Sequence, residues 1–232
     1  DAYVRGFLAR QAFAGPVSSA TLHYALGQDL MTRYPGCERH SVVASAAAAG
    51  VPIYTSSPGD SSIGMNLAAH ELLHGGGCTI DPNRDVNEVA AIILDGTRNG
   101  CLILGGGSPK NFYLQGQPTL WEIYGIPKGG CEYFVQITTD QVVWGGLSGA
   151  TPSEAISWGK VNPGMLSDTV VAYCDSTIAF PILCEYVVGS EHGRRTQRQL
   201  VHRREALMAE LERQARSRPK ARPAGAAREA GE

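Results

Sequence analysis

The sequence predicts an α/β protein: a doubly wound, Rossmann-like parallel sheet with helices on both faces. Short apolar runs rich in β-branched residues, at 51–55, 101–104, 132–138 and 169–174, alternate with longer segments of helical periodicity, the pattern of βαβ units. Each run leads into Ser, Gly, Thr or Asp, so the loops gather at the C-terminal ends of the strands, where open α/β sheets bind their ligands. The third observation is size: 232 residues with 43% hydrophobic content suffice for one sizeable core.

Taken in order, residues 1–34 place Tyr3, Phe7 and Leu8, then Leu22, Leu26 and Leu30, at helical spacing, and Gly15-Pro16 divides them into two helices. An Ala-rich helix at 41–49 stops at Gly50. Val51-Pro52-Ile53-Tyr54-Thr55 reads as a short strand entering the Ser- and Gly-rich loop 56–64. A helix over 65–73 ends at three glycines, and a longer one covers 86–98. The strand at 101–104 runs into Gly105-Gly106-Gly107 and a helix to residue 124; strands follow at 132–138 and 169–174, with a short helix at 153–158 between them and a closing helix at 176–188. Residues 1–189 form one domain. Beyond Gly189 the composition changes: 196–216 reads as a solvated helix with leucines among Arg, Glu and Gln, and 217–232 as disordered.

Charge divides along the same boundary. Residues 1–190 hold nine basic and sixteen acidic side chains, net −7; residues 191–232 hold eleven and six, net +5. An acidic body suits a cationic small molecule, and a basic tail without interleaved aromatics lacks the stacking groups for nucleic acid. No run is long and apolar enough to cross a membrane and the N-terminus lacks a signal pattern, so a cytoplasmic protein is expected. Six cysteines without a C-x-x-C read as reduced, buried thiols.

Four patterns carry chemistry, each with a plain alternative. His70-Glu71-Leu72-Leu73-His74 is a literal H-E-x-x-H, but Ile80 stands where a third zinc ligand is wanted and glycines end the helix, so no metal site is assigned. Gly105-Gly106-Gly107 after a strand lets backbone N–H groups approach a pyrophosphate, or is a tight turn. Asp60 and Asp175, just past strands, are placed to take ribose hydroxyls, or to cap helices. Lys160 follows a Gly-rich loop and Trp158. Desolvation would free its amine for imine formation; a surface lysine at a helix C-terminus is the alternative.

Ser157-Trp158-Gly159-Lys160, Leu104-Gly105-Gly106-Gly107 and Ser57-Pro58-Gly59-Asp60-Ser61-Ser62-Ile63-Gly64 together resemble the deoxyhypusine synthase family, most closely the bacterial members called deoxyhypusine synthase-like proteins. The resemblance runs from about Arg33 to Val188, and it implies a sheet of that family's type. It implies NAD as cofactor, contacted by Asp60, Gly105, Gly106, Thr139, Asp175 and Ser176, and a polyamine substrate. Lys160 would be the covalent lysine, Trp158 the ring packed along the polyamine and Glu154 the acid holding an ammonium, with Asn111 where the family carries a histidine. The implied reaction transfers a hydride from a polyamine carbon to NAD, carries a 4-aminobutyl unit as an imine on Lys160, delivers it to an acceptor amine and returns the hydride. Met65, Trp144 and Leu147 stand where the family carries aspartates, which favours a small-amine acceptor and a homospermidine-like product. True deoxyhypusine synthesis on a lysine of a translation factor is one alternative, and a non-catalytic or incomplete subunit is another. The resemblance further implies a homotetramer. The chain starts at Asp1 in helix-like sequence, past the family's N-terminal segment, so a fragment, a processed chain or one half of a split protein, completed by a partner chain, is expected.

Overall fold

A computed structural model describes residues 1–190 and 198–217. Three strands form one parallel sheet in the order β1 (Gly100–Leu104), β2 (Tyr133–Thr138), β3 (Thr169–Tyr173), with Gly100 opposite Tyr133 and Phe134 opposite Thr169. Parallel neighbours need crossover connections. Helix α6 (Ser108–Pro118), continued by a π-helical turn over Thr119–Ile123, links β1 to β2, and the short α7 (Pro152–Ser157) links β2 to β3. Both lie on one face: Leu114 of α6 and Ala155 of α7 pack with Ile103, Phe134, Cys131 and Val161, and Cys101 and Val171 join them. On the opposite face Leu102, Leu104 and Val170 are 46%, 44% and 54% exposed. Helix α8 (Ser176–Gly189), apolar along most of its length, contains no buried residue.

The remaining helices form two further cores. Helices α1 (Ala2–Arg10) and α2 (Ser19–Arg33) join through Phe7, Leu8, Leu22 and Leu26, with Ile63 and Leu67 of α4 (Ser62–His74) against them. Helix α3 (Val42–Ala48) approaches α2 so closely that a methyl at Gly27 would lie 2.5 Å from Ala47 Cβ. Helix α5 (Pro82–Asp95) begins four residues before the expected 86, because Asp81 accepts from Asn83 N (2.9 Å) and Pro82 sits in the first turn; Gly96 stops it. Its Val89, Ala90 and Ile93 pack with Leu120, Ile126, Leu207 and Leu211. The last two belong to α9 (Leu200–Ser217), so the helix expected to be solvated buries a leucine stripe and leaves its charged face to water. Residues 218–232, expected to be disordered, lie outside the described residues.

The segment 51–55 is not a strand. Its polar backbone groups find side chains instead of a ladder: His23 Nδ1 lies 3.0 Å from Ile53 O, and Thr55 N donates to Ser19 Oγ (3.0 Å). Ser19 is held by the buried Asp85 carboxylate, which accepts from Ser19 N (2.7 Å) and Ser19 Oγ (2.6 Å). Burial raises the Asp85 pKa, opposed by these bonds. Tyr54 OH donates to buried Glu88 (3.1 Å), and this network delivers the chain into the 56–60 loop.

Candidate active site

Helix α7 is short and strictly delimited. Thr151 caps it, accepting from Glu154 N (3.2 Å), and Pro152 opens it. After Trp158, Gly159 at φ +66 turns the chain out of the helix. The backbone of Lys160 is then fixed on both sides: its N–H donates to Ala155 O (3.0 Å) and its carbonyl accepts from Cys131 N (2.9 Å). The side chain points along α6, where Nζ donates to Asn111 Oδ1 (2.7 Å), and it lies 5.7 Å from the centroid of the Trp158 ring. Asn111, Leu147, Ala150, Glu154, Trp158 and Lys160 line one cavity of about 350 Å³. Burial holds the Lys160 pKa below the ordinary lysine value, and Glu154 works against that shift. An amine depressed in this way carries more free base at neutral pH, the form that attacks a carbonyl or imine carbon.

A second group of residues lies along the C-terminal edge of the sheet. Gly105 follows β1, Thr139 follows β2, and Asp175 lies two residues past β3. Gly105 N donates to Ile137 O (2.8 Å), extending the ladder one step before the loop departs. Gly105 and Gly107 have φ of +75 and +83, and a Cβ at either would meet nothing within 4 Å, so the loop is open on that side. Gly107 stands immediately before the first turn of α6. Asp175 caps α8, its Oδ1 accepting from Thr177 N (2.8 Å) and Thr177 Oγ1 (2.7 Å). Asp60 closes a single helical turn over Pro58–Asp60, and Ser57 Oγ and Ser56 Oγ hydrogen-bond Ser108 Oγ (3.2 and 2.9 Å) beside the glycine loop. Open positive-φ glycines at a helix start fit a pyrophosphate, and carboxylates beside them fit ribose hydroxyls.

The residues expected from the sequence therefore fall into two groups. Asn111, Glu154, Trp158 and Lys160 share one pocket, while Gly105, Gly106, Thr139, Asp175 and Ser176 line the strand ends with Asp60 on an adjoining loop. Of the positions departing from the family pattern, Leu147 lines the pocket, whereas Met65 and Trp144 are 65% and 72% exposed. His70 and His74 share one side of α4 with ring centroids 4.8 Å apart, and among the described residues no three His, Cys, Asp or Glu side chains are grouped to hold a metal ion. All six cysteines are free; Cys131 is buried and the rest only partly so. Sequence reasoning missed Lys110 and Gln136, both buried: Lys110 lines the Lys160 cavity, and Gln136 joins it to the loop after β1. A glutamine inside the apolar strand Tyr133–Thr138 was the available signal.

The family model for deoxyhypusine synthase matches residues 2–187. The chain belongs to the deoxyhypusine synthase family. Among similar proteins, the deoxyhypusine synthase-like protein of Nostoc punctiforme is 47% identical over 218 residues, which cover 91% of this chain and 55% of that one. The corresponding protein of Thermosynechococcus vestitus is 47% identical over 221 residues, 91% and 55% of the two chains. A probable deoxyhypusine synthase 2 of Methanosarcina acetivorans is 39% identical over 175 residues, 75% and 49%. The chain thus spans about half the length of these family members.

Proposed function

We propose that this chain carries the lysine half of an NAD-dependent transferase, which moves a 4-aminobutyl-type group from a polyamine to an acceptor amine. The observation that carries the reading is the Lys160 amine, partly buried, hydrogen-bonded to Asn111 at 2.7 Å and roofed by Trp158. The Trp158 face and the Glu154 carboxylate attract an ammonium at the pocket mouth. Lys160 takes the imine carbon of the oxidised polyamine, forming a new carbon–nitrogen bond and releasing the amine fragment; the acceptor amine then displaces Lys160 from the same carbon. Asn111 holds the lysine nitrogen in line through both exchanges, and the apolar wall of Leu114 and Leu147 keeps water from the imine. NAD, when bound against Gly105, Gly106, Thr139, Asp60, Asp175 and Ser176, would accept the hydride and later return it.

The preferred acceptor is a small amine, giving a homospermidine-like polyamine, because Met65, Trp144 and Leu147 replace carboxylates of the family pattern. The catalytic unit is residues 1–189, with 190–232 an appendage. The part of the relatives that this chain does not span, supplied on the same or a partner polypeptide, completes the enzyme. It would cover the bare face bearing Leu102, Leu104 and Val170, complete a doubly wound sheet, and assemble in a cytoplasmic homo-oligomer, a tetramer by family analogy. Incubation with NAD, labelled spermidine, a small diamine and a lysine-bearing translation factor, with and without that polypeptide, tests the reading. Label on the diamine supports it, and label on protein reverses the choice of acceptor. No transfer in the completed assembly defeats the assignment.

A further inference from the structure

Lys110 is 7% exposed, and among the described residues no carboxylate pairs with it. Its amine instead donates to two neutral oxygens, Ala150 O (2.7 Å) and Gln136 Oε1 (3.0 Å). Gln136, 1% exposed, spends its own Nε2 on Ser148 O (2.7 Å) and Gly105 O (2.8 Å). Two side chains thereby draw three backbone carbonyls to one point, one from the loop after β1 and two from the loop before α7. The second loop's own backbone bonds are short turns, Gly145 N to Val142 O and Gly149 N to Gly146 O, each 3.1 Å, which do not anchor it to the sheet. The two loops nearly touch: a Cβ at Gly106 would lie 2.5 Å from Ser148 Cα.

The sequence position of this amine gives it a role. Lys110 and Asn111 are neighbours on α6, and they hold residues 150 and 160, the two ends of the segment bearing Glu154 and Trp158. A desolvated lysine is costly unless its bonds are satisfied, and leucine or methionine would fill the same space without that cost. What a hydrocarbon would not supply is the tie to Ala150 and Gln136. We propose that Lys110 is a positioning residue, fastening the 145–150 loop to α6 through Gln136 and so holding Lys160 against Asn111 and limiting the exposure of its amine. The proposal rests on Lys160 being the reactive amine. Burial lowers the Lys110 pKa, the Lys160 charge adds to that shift, and Cys101 and Glu154 oppose it; Lys110→Met therefore also removes a charge facing Lys160, and the uncharged Gln136→Met is the variant that reads the tie alone.

The test is the pH dependence of Lys160 reductive methylation with formaldehyde and cyanoborohydride, read by peptide mass spectrometry with Lys128 as internal reference. In the wild-type chain Lys160 is half-modified below the ordinary lysine value of about 10.4. In Lys110→Met the loop loosens, Lys160 becomes more hydrated, and its midpoint rises towards the ordinary value, with a slower reaction at neutral pH. Gln136→Met moves the midpoint in the same direction, and the double variant adds little because both residues act through one network. A folded Lys110→Met chain that melts earlier yet keeps the wild-type midpoint overturns the proposal. If that variant does not fold, as judged by circular dichroism, an unchanged midpoint in Gln136→Met overturns it equally. Formaldehyde needs neither NAD nor polyamine, so a depressed wild-type midpoint without polyamine transfer would defeat the functional reading alone.

Discussion

Replacing Gly106 by alanine perturbs the contact that joins the two halves of the site. The added methyl would sit 2.5 Å from Ser148 Cα, 2.7 Å from Ser148 Cβ and 3.2 Å from Gln136 Nε2. Carbon atoms rest comfortably at about 3.5–4.0 Å, so the glycine loop and the 145–150 loop must part by roughly 1 Å. Both contacts at Ser148 are to its backbone or first side-chain atom, which leaves no flexible end to yield. Overpacking of this kind costs about 1–3 kcal/mol. For a chain of this size each kcal/mol lowers the melting temperature by about 2–4 °C, so a fall of roughly 2–12 °C is expected in a thermal melt. Gly106 does not have positive φ, so the loss would be steric and not conformational. Gly129 supplies the reference, since its nearest neighbour to an added Cβ is Asn162 Nδ2 at 3.8 Å, and Gly129→Ala should shift stability by less than about 0.5 kcal/mol. In the assembled enzyme a 1 Å displacement of the Lys160 segment lowers turnover by about 100-fold. A Gly106→Ala chain that melts with wild type and retains its turnover would refute the packed junction between the loops.

Leu207→Ala or Leu211→Ala, each opening a cavity between α9 and α5, should cost about 2–4 kcal/mol by denaturant unfolding; a loss under about 0.5 kcal/mol would show that α9 is not docked. Ser19→Ala removes the hydroxyl that donates to Asp85 and accepts from Thr55 N, and leaves a buried carboxylate short of a donor; a loss of about 1–3 kcal/mol is expected in the same measurement. Asp175→Asn keeps a capping oxygen for α8 and removes the charge, so NAD affinity in the completed assembly should fall while the melting temperature holds. Asp175→Ala should lose both NAD affinity and thermal stability, and equal losses in the two variants would assign the residue to capping alone.

The sequence revealed the parts whose physics is local. The helix starts at Ser41 and Thr151, the stop at Gly75 and the apolar runs that became β1 to β3 follow from capping, glycine geometry and period, whereas α5, expected over 86–98, spans Pro82–Asp95. What was not legible depends on long-range pairing. Segment 51–55 has the composition of a strand, yet its donors and acceptors are taken by Ser19 and His23 from α2, a competition no window of sequence displays. The leucines of α9 look sparse among arginines until α5 is seen to offer Val89 and Ile93 opposite them. Within the site, the grouping of Glu154 and Trp158 was readable from their spacing of four, and Lys160 joined them through the resemblance to the family, since Gly159 takes the chain out of the helix before it. The tie from Lys110 to Ala150 and Gln136 spans 40 and 26 residues and had to be seen in three dimensions.

The central claim is that one amine, on Lys160, takes the four-carbon unit. Incubating the chain with 4-aminobutanal and cyanoborohydride near pH 8, then mapping its peptides, tests this without cofactor or partner. An aminobutyl group is expected on Lys160 well ahead of Lys110 and Lys128, with its loss from that peptide in Lys160→Arg. Modification spread evenly over the lysines, or absent from Lys160, would contradict it.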